Sequence, residues 1–254
     1  MRAVILTSNG PRHAYLAGAV ASRFDVRAVI REPKGAYYDA QAGASTLVAE
    51  HFRRLAETEH RYFGASRWPA VPTVECPRGE INQPELTARM AAEAPDVVVL
   101  FGTGILNDLW LSTFPDRIVN LHLGLSPYYR GAATLFWPIA RGEVDCVGAT
   151  IHLAAPRVDA GRILARVKPR LAAGDSYYDI NYKTIRTAID ALPAVAEGYL
   201  QGKVVPINQD LGVGRVFRKR DFTEEALRAA LHVIGDGLTA LQIAEIERSA
   251  RCGC

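Results

Sequence analysis

Residues 97–123 read VVVLFGTGILNDLWLSTFPDRIVNLHL, and the short runs at its two ends, Val97–Phe101 and Ile118–Leu123, decide the fold class. Val97–Phe101 is apolar at every position, the pattern of a strand covered on both faces. Ile118–Leu123 is apolar except at Asn120 and His122, two positions of the same parity. Upstream, Gln83–Ala94 has helical spacing and Pro95-Asp96 turns the chain into the first of these strands. Nearer the N-terminus, Val4–Thr7 predicts a buried strand ending in the turn Ser8-Asn9-Gly10. Pro11 suits the first turn of a helix over Pro11–Phe24, and Val26–Ile30 is the next strand. A strand–helix–strand opening starts a parallel sheet. Residues 33–72 read as a helical insertion, with aromatics and charges interleaved at helical spacing over Val48–Tyr62. A substrate lid, a subunit contact and a plain cover over the sheet are all compatible with that pattern.

Downstream, a helix is predicted over Ala132–Arg141, strands over Ala149–Leu153 and Ile163–Val167, and a long helix over Ser176–Gln201. Beyond Pro206 a glycine-rich turn at 211–214 flanks a short strand, Arg215–Arg218. Thr223 with Glu224 and Glu225 forms an N-cap and acidic first turn for a helix to Ile234. The alternation predicts a Rossmann-like, doubly wound, mostly parallel α/β sheet. The predicted division is a domain over 1–205 and a small extension, hairpin plus helix, over 206–254. Ligands of such sheets sit beyond the carboxyl ends of the strands.

Composition narrows the function classes. The chain has 254 residues, 49% apolar and 22% charged, with a formal net charge of +3. A core of this size forms without disulfides or metals. The basic residues are scattered, which argues against a nucleic-acid partner, and the run Arg215–Arg220 reads as a solvated edge. Cys76, Cys146, Cys252 and Cys254 lack CxxC or zinc spacing, so no metal is expected and the compartment reads as reducing. No run reaches the roughly 18 apolar residues of a membrane span, and no signal-peptide core is present. These features predict a cytoplasmic protein with no membrane partner.

Alternation along a strand places Asn120 and His122 on one face. Taken alone, the pair reads as two satisfied polar neighbours at a strand end. A turn-rich loop follows, Leu123-Gly-Leu-Ser-Pro-Tyr-Tyr-Arg-Gly131, and Val158-Asp159-Ala160-Gly161 lies in a second loop between two predicted strands. Asp159 reaches the same crevice if those strands are neighbours. His152 is expected to point outward with a structural partner only, and His13, His51, His60 and His232 fall on predicted helices.

The stretch VNLHLGLSPYYRGAATLFWPI, then GE with VGATIHL, then VDAGRIL, resembles the folate-dependent formyltransferase family, in order and over roughly 95–167. The upstream PDVVVLFGTGIL is similar to that family's strand and folate loop. The resemblance implies a formyltransferase fold, 10-formyltetrahydrofolate as co-substrate, and Asn120, His122 and Asp159 as catalytic residues. It places the pterin against Leu100, Phe101, Gly102, Gly104, Ile105 and Leu106. Ala154, Val158 and Asp159 would form the second wall. Ser8, Asn9, Tyr128, Arg130 and Gly131 are candidate contacts to the acceptor, a primary amine on a small molecule.

The motif wording is most similar to bacterial enzymes that formylate nucleotide-linked amino sugars. The glycinamide ribonucleotide branch carries a phosphate loop where Pro11-Arg12-His13 stands here, which disfavours it. A formyltetrahydrofolate hydrolase and an initiator-tRNA enzyme are expected to carry further domains. A non-catalytic folate or nucleotide binder is the reading from another class, and the tail admits a homodimer contact.

Overall fold

Seven strands form one sheet in the order β3-β2-β1-β4-β5-β7-β8. They are β1 (Arg2–Thr7), β2 (Asp25–Arg31), β3 (Thr73–Glu75), β4 (Val97–Phe101), β5 (Ile118–His122), β7 (Ala149–Leu153) and β8 (Ile163–Val167). This computed structural model describes residues 1–33 and 45–249. The five strands β3 to β5 run parallel, whereas β7 and β8 are antiparallel to their neighbours. The loop joining β7 to β8, residues 154–162, is shorter than the dozen or more residues that a parallel crossover needs. The expected doubly wound, mostly parallel sheet is therefore present, with an antiparallel edge.

Helices cover both faces. Helix α1 (Pro11–Ala21), α2 (Thr46–Phe63) and α6 (Tyr177–Leu200) pack on one side. Inward residues of that face, among them Val97, Val99, Val119, Leu121 and Ile151, form the larger core. Helices α3 (Pro84–Ala92) and α4 (Asp108–Thr113) cover the other face through Met90 and Trp110, with Val98 and Ile118 beneath them. Trp110 is fully buried and donates its indole N–H to the Ile81 carbonyl at 2.8 Å. The apolar cover on this face ends at Ile118, two residues before Asn120.

Within the 33–72 insertion, α2 packs against α1 and α6 as a cover; residues 34–44 lie outside the described residues. The predicted helix over 132–141 shortens to α5 (Phe136–Ala140). Ala133 has φ +56°, and the Ala132 amide donates to the Phe217 carbonyl, so the chain turns before helix begins. β3 and α4 are too short to show a periodicity.

The predicted C-terminal hairpin does not form. Instead β9 (Arg215–Phe217) pairs in parallel with β6 (Tyr129–Gly131) in the loop after β5. The cause is aromatic packing: Phe217 stacks on Tyr129 at 5.8 Å and on Trp137 at 4.7 Å, which draws the tail strand onto the main domain. Helices α7 (Glu224–Ile234) and α8 (Ala240–Arg248) follow, with Leu227, Ala230 and Ile234 buried in the larger core. Cys76 is buried and free; Cys252 and Cys254 lie outside the described residues. Among the described residues no helix is long and apolar enough to cross a membrane.

Helix α6 begins with a capping box: the Asp179 amide donates to Ser176 Oγ at 3.2 Å, and the Ser176 amide donates to Asp179 Oδ2 at 3.2 Å. Ser176→Ala should lower the free energy of unfolding by about 1 kcal/mol in urea titration. An unchanged midpoint would mean that the cap contributes nothing.

Candidate active site

Antiparallel pairing sets Asn120 opposite His152 and His122 opposite Thr150. Directly opposed residues share a face, so four polar side chains gather just past the edge of the α3–α4 cover. His122 and His152 are 6% and 2% exposed. The loop from β7 to β8 returns Asp159 over them. Asp159 Oδ2 lies 3.3 Å from His122 Nδ1, and Oδ1 lies 3.6 Å from His152 Nε2. The Gly131 amide donates to Asp159 Oδ2 at 2.8 Å, tying the loop to β6.

The partners fix the ring protons. A carbonyl only accepts, so His122 Nε2–H donates to the Tyr129 carbonyl at 2.8 Å and His152 Nδ1–H to the Leu153 carbonyl at 2.7 Å. His152 Nε2 is then an acceptor and takes an N–H from Asn120 Nδ2 at 3.0 Å. That bond sets which way the Asn120 amide points. His122 Nδ1 carries a lone pair facing a carboxylate oxygen.

Burial pushes the His122 imidazole down from its ordinary value, against the pull of the Asp159 carboxylate. Burial also works to raise the Asp159 carboxyl. The neighbouring His122 and His152 rings and the Gly131 amide overcome it and hold Asp159 below the usual carboxylate range. At neutral pH the pair is a proton acceptor: an incoming proton bridges imidazole and carboxylate.

Asn120, His122 and Asp159 thus stand together, and His152 joins them. The expectation that His152 faces outward is wrong, because β7 is an interior strand and its pairing with β5 turns His152 toward Asn120. Cross-strand register was the missing signal. Leu100 is in register with Asn120. Gly102 has φ +81°, a conformation that favours glycine, while Gly104 and Ile105 are exposed, Ile105 at 71%. Two of the expected wall residues point elsewhere. Phe101 faces the larger core and packs on the His13 ring at 4.8 Å, and Leu106 is buried with Trp110 under α4. Ala154 is half-buried and Val158 is 41% exposed.

Among the expected acceptor contacts, Tyr128 is half-buried and Asn9 exposed, whereas Ser8 is buried. Arg130 is corrected: it is 5% exposed and its guanidinium donates to the carbonyls of Pro127, Leu211 and Val213. Three backbone acceptors leave it a tie between loops. Gly131, at φ +94°, serves Asp159 through its amide. Near the Ser8-Asn9-Gly10 turn, the Arg12 amide at the start of α1 donates to Glu59 Oε1 at 3.3 Å, and the Arg12 guanidinium meets Oε2 at 2.9 Å. A carboxylate of the chain thus holds the place an anion would take. Among the described residues no cluster of metal-ligating side chains occurs.

The sign of the pH dependence follows. Both depressed groups favour the proton-free folded site, so the unfolded chain binds protons more tightly and stability is lost as the pH is lowered. For His122 the loss starts near the reference imidazole value of about 6.5, and for Asp159 below about 4. The urea midpoint should drop between pH 7.5 and pH 5, and His122→Asn should drop less. Equal drops would assign the dependence to other groups, such as His51, which burial lowers to about 4.

A family model described as Formyl transferase matches residues 2–196. The methionyl-tRNA formyltransferase of Trichlorobacter lovleyi is 30% identical over 141 residues, 55% of this chain and 44% of that protein. The match therefore spans less than half the length of that relative. Among solved structures, a sugar N-formyltransferase from a Shewanella species aligns with a TM-score of 0.59 at 17% identity, covering 92% of this chain and 88% of that one. The formyltransferase PseJ from Anoxybacillus kamchatkensis, in complex with UDP-4,6-dideoxy-4-formamido-L-AltNAc and tetrahydrofolate, gives 0.53 at 16%, covering 94% and 100%. Phosphoribosylglycinamide formyltransferase from Anaplasma phagocytophilum gives 0.58 at 20%, covering 80% and 88%. Matched by the family model over most of its length, this chain belongs to the formyl transferase family.

Proposed function

We propose that this protein transfers a formyl group from 10-formyltetrahydrofolate to a primary amine of a small molecule, with Asn120, His122 and Asp159 as catalytic residues. The observation that carries the reading is the proton-accepting pair of His122 Nδ1 and Asp159 Oδ2, 3.3 Å apart, beside an oriented amide. An amine attacks a formyl carbon only with its lone pair free, and it must shed a proton as the new C–N bond forms. His122 and Asp159 are placed to receive that proton. The second N–H of Asn120, the one not given to His152, is available to the oxygen that gains charge. His152 positions that amide.

The residues around the pair fit a flat folate ring. Leu100 stands beside Asn120, and exposed Ile105 and Val158 offer apolar surface on the two loops that flank the strand end. Glycine at 102 and 104 lets a ring approach the backbone closely. When bound, the folate supplies the formyl group; the chain supplies orientation and the proton acceptor.

For the acceptor, we favour a nucleotide-linked amino sugar. The sugar-acting relatives cover 92% and 94% of this chain, against 80% for the phosphoribosylglycinamide enzyme. The Glu59 carboxylate at the start of α1 also disfavours a phosphate in that position.

Purified protein should release tetrahydrofolate from the donor only when an amine acceptor is added, with UDP-linked amino sugars outperforming glycinamide ribonucleotide. His122→Ala should lower kcat by about 10²–10³-fold while folate binding changes little. Release at the same rate without an amine would make the enzyme a hydrolase. Folate binding without turnover for any amine would make it a binding protein.

A further inference from the structure

The segment after Pro206 reaches back to the catalytic cluster. Ile207 exchanges two backbone hydrogen bonds with Ile163 of β8, both 2.8 Å. Two residues on, Gln209 Nε2 donates to the Asp159 carbonyl at 3.0 Å and to the Gly161 carbonyl at 2.5 Å. Farther along, the carbonyls of Leu211 and Val213 receive the Arg130 guanidinium, and β9 pairs with β6. Residues 207–217 form a strap tied to each loop that touches the His122–Asp159 pair.

From this arrangement we infer that Gln209 is a positioning residue that sets the Asp159 carboxylate against His122, which makes the strap part of the active site. Gln209 lies beyond residues 2–196 matched by the family model. The inference rests on reading His122 and Asp159 as the proton-accepting pair.

The loop needs such a clamp. Asp159 has φ +49°, a left-handed conformation unfavourable for a residue with a Cβ. Gly161 is pressed so closely on the Leu153 carbonyl that a Cβ there would overlap it. One side-chain bond, from the Gly131 amide, holds the Asp159 carboxylate from the β6 side. Gln209 holds the backbone from the opposite side, its amide nitrogen donating to two carbonyls two residues apart. Flipping the amide would set its oxygen against both carbonyls, so the donor orientation is fixed. A positional change of about 1 Å at a reacting group costs roughly a hundredfold in rate.

The titratable groups facing His122 are Asp159 on the loop and His152 on β7. Asp159 supports a proton on His122, while His152 and burial oppose it. Loosening Asp159 therefore moves the His122 titration downward.

The test uses the full chain with Gln209→Met, which keeps length and removes both donors, and with Gln209→Ala should the first variant fold poorly. Imidazole ¹⁵N shifts of His122, assigned by its loss in His122→Asn, are followed against pH without substrate. The expected result is a lower His122 midpoint in both variants, with kcat reduced about tenfold or more and the folate KM unchanged. An unmoved His122 midpoint, with only the melting temperature lowered, would make Gln209 a structural clip and overturn the inference. If the wild type formylates no amine, a shifted midpoint still upholds the inference while the proposed function fails.

Discussion

The site depends on one pairing, the antiparallel register of β5 with β7. In a sheet covered by helices on both faces, polar side chains are costly unless each finds a partner. Register solves this for Asn120 by opposing it to His152, while His122 and Thr150, also opposed, are satisfied by the loop after β5 through the carbonyls of Tyr129 and Gly124. A slip of β7 by one residue would turn Thr150 and His152 into the apolar face and send Ile151 out. The hydrophobic pattern that builds the larger core thereby also enforces the arrangement of the polar cluster. Stability and site geometry share a single constraint.

The antiparallel edge makes the third member possible. A parallel crossover from β7 would carry the chain away over a helix before returning. The nine-residue loop instead leaves β7 beside Ile118, at the opposite end of β5 from His122, and turns back to bring Asp159 within 3.3 Å of that ring. The strain in that loop sits at Asp159 itself, at φ +49°. Such strain persists where surrounding contacts over-determine it. Here those contacts come from three separate regions: Gly131 in β6, Gln209 in the strap, and the histidines of β5 and β7.

Much of this was legible in the residues. The apolar runs predicted β1, β2, β4, β5, β7 and β8, and parity put Asn120 and His122 on one face. What failed to show was long-range. His152 was misjudged because alternation reports which residues share a face, not which strand lies opposite. Arg130 was misjudged as a ligand contact because a lone arginine in a loop carries no mark of the carbonyls it will meet. The hairpin expected after 206 failed since Phe217 found Tyr129 and Trp137, residues some 80 positions earlier. Phe101 and Leu106 show a subtler limit: a loop was identified as a binding loop, but the direction of each side chain depends on where the strand stops alternating.

In a doubly wound sheet the crevice for ligands opens where strand order reverses, here between β1 and β4. The chain's own carboxylates occupy donor groups on that side. Glu59 takes the Arg12 amide and guanidinium, and Glu32, 3% exposed, takes the amides of Gly79 and Gly104 at 2.8 and 2.5 Å. The amides of Arg12, Gly79 and Gly104 are therefore engaged internally. The Gly104 contact has a second consequence, since it anchors the loop after β4 to the end of β2. That loop is the wall between the switch point and the cluster at the end of β5. Ile105 in that loop and Val158 in the loop that carries Asp159 keep exposed apolar surface, so the anchored backbone around each is stabilised by polar contacts made elsewhere.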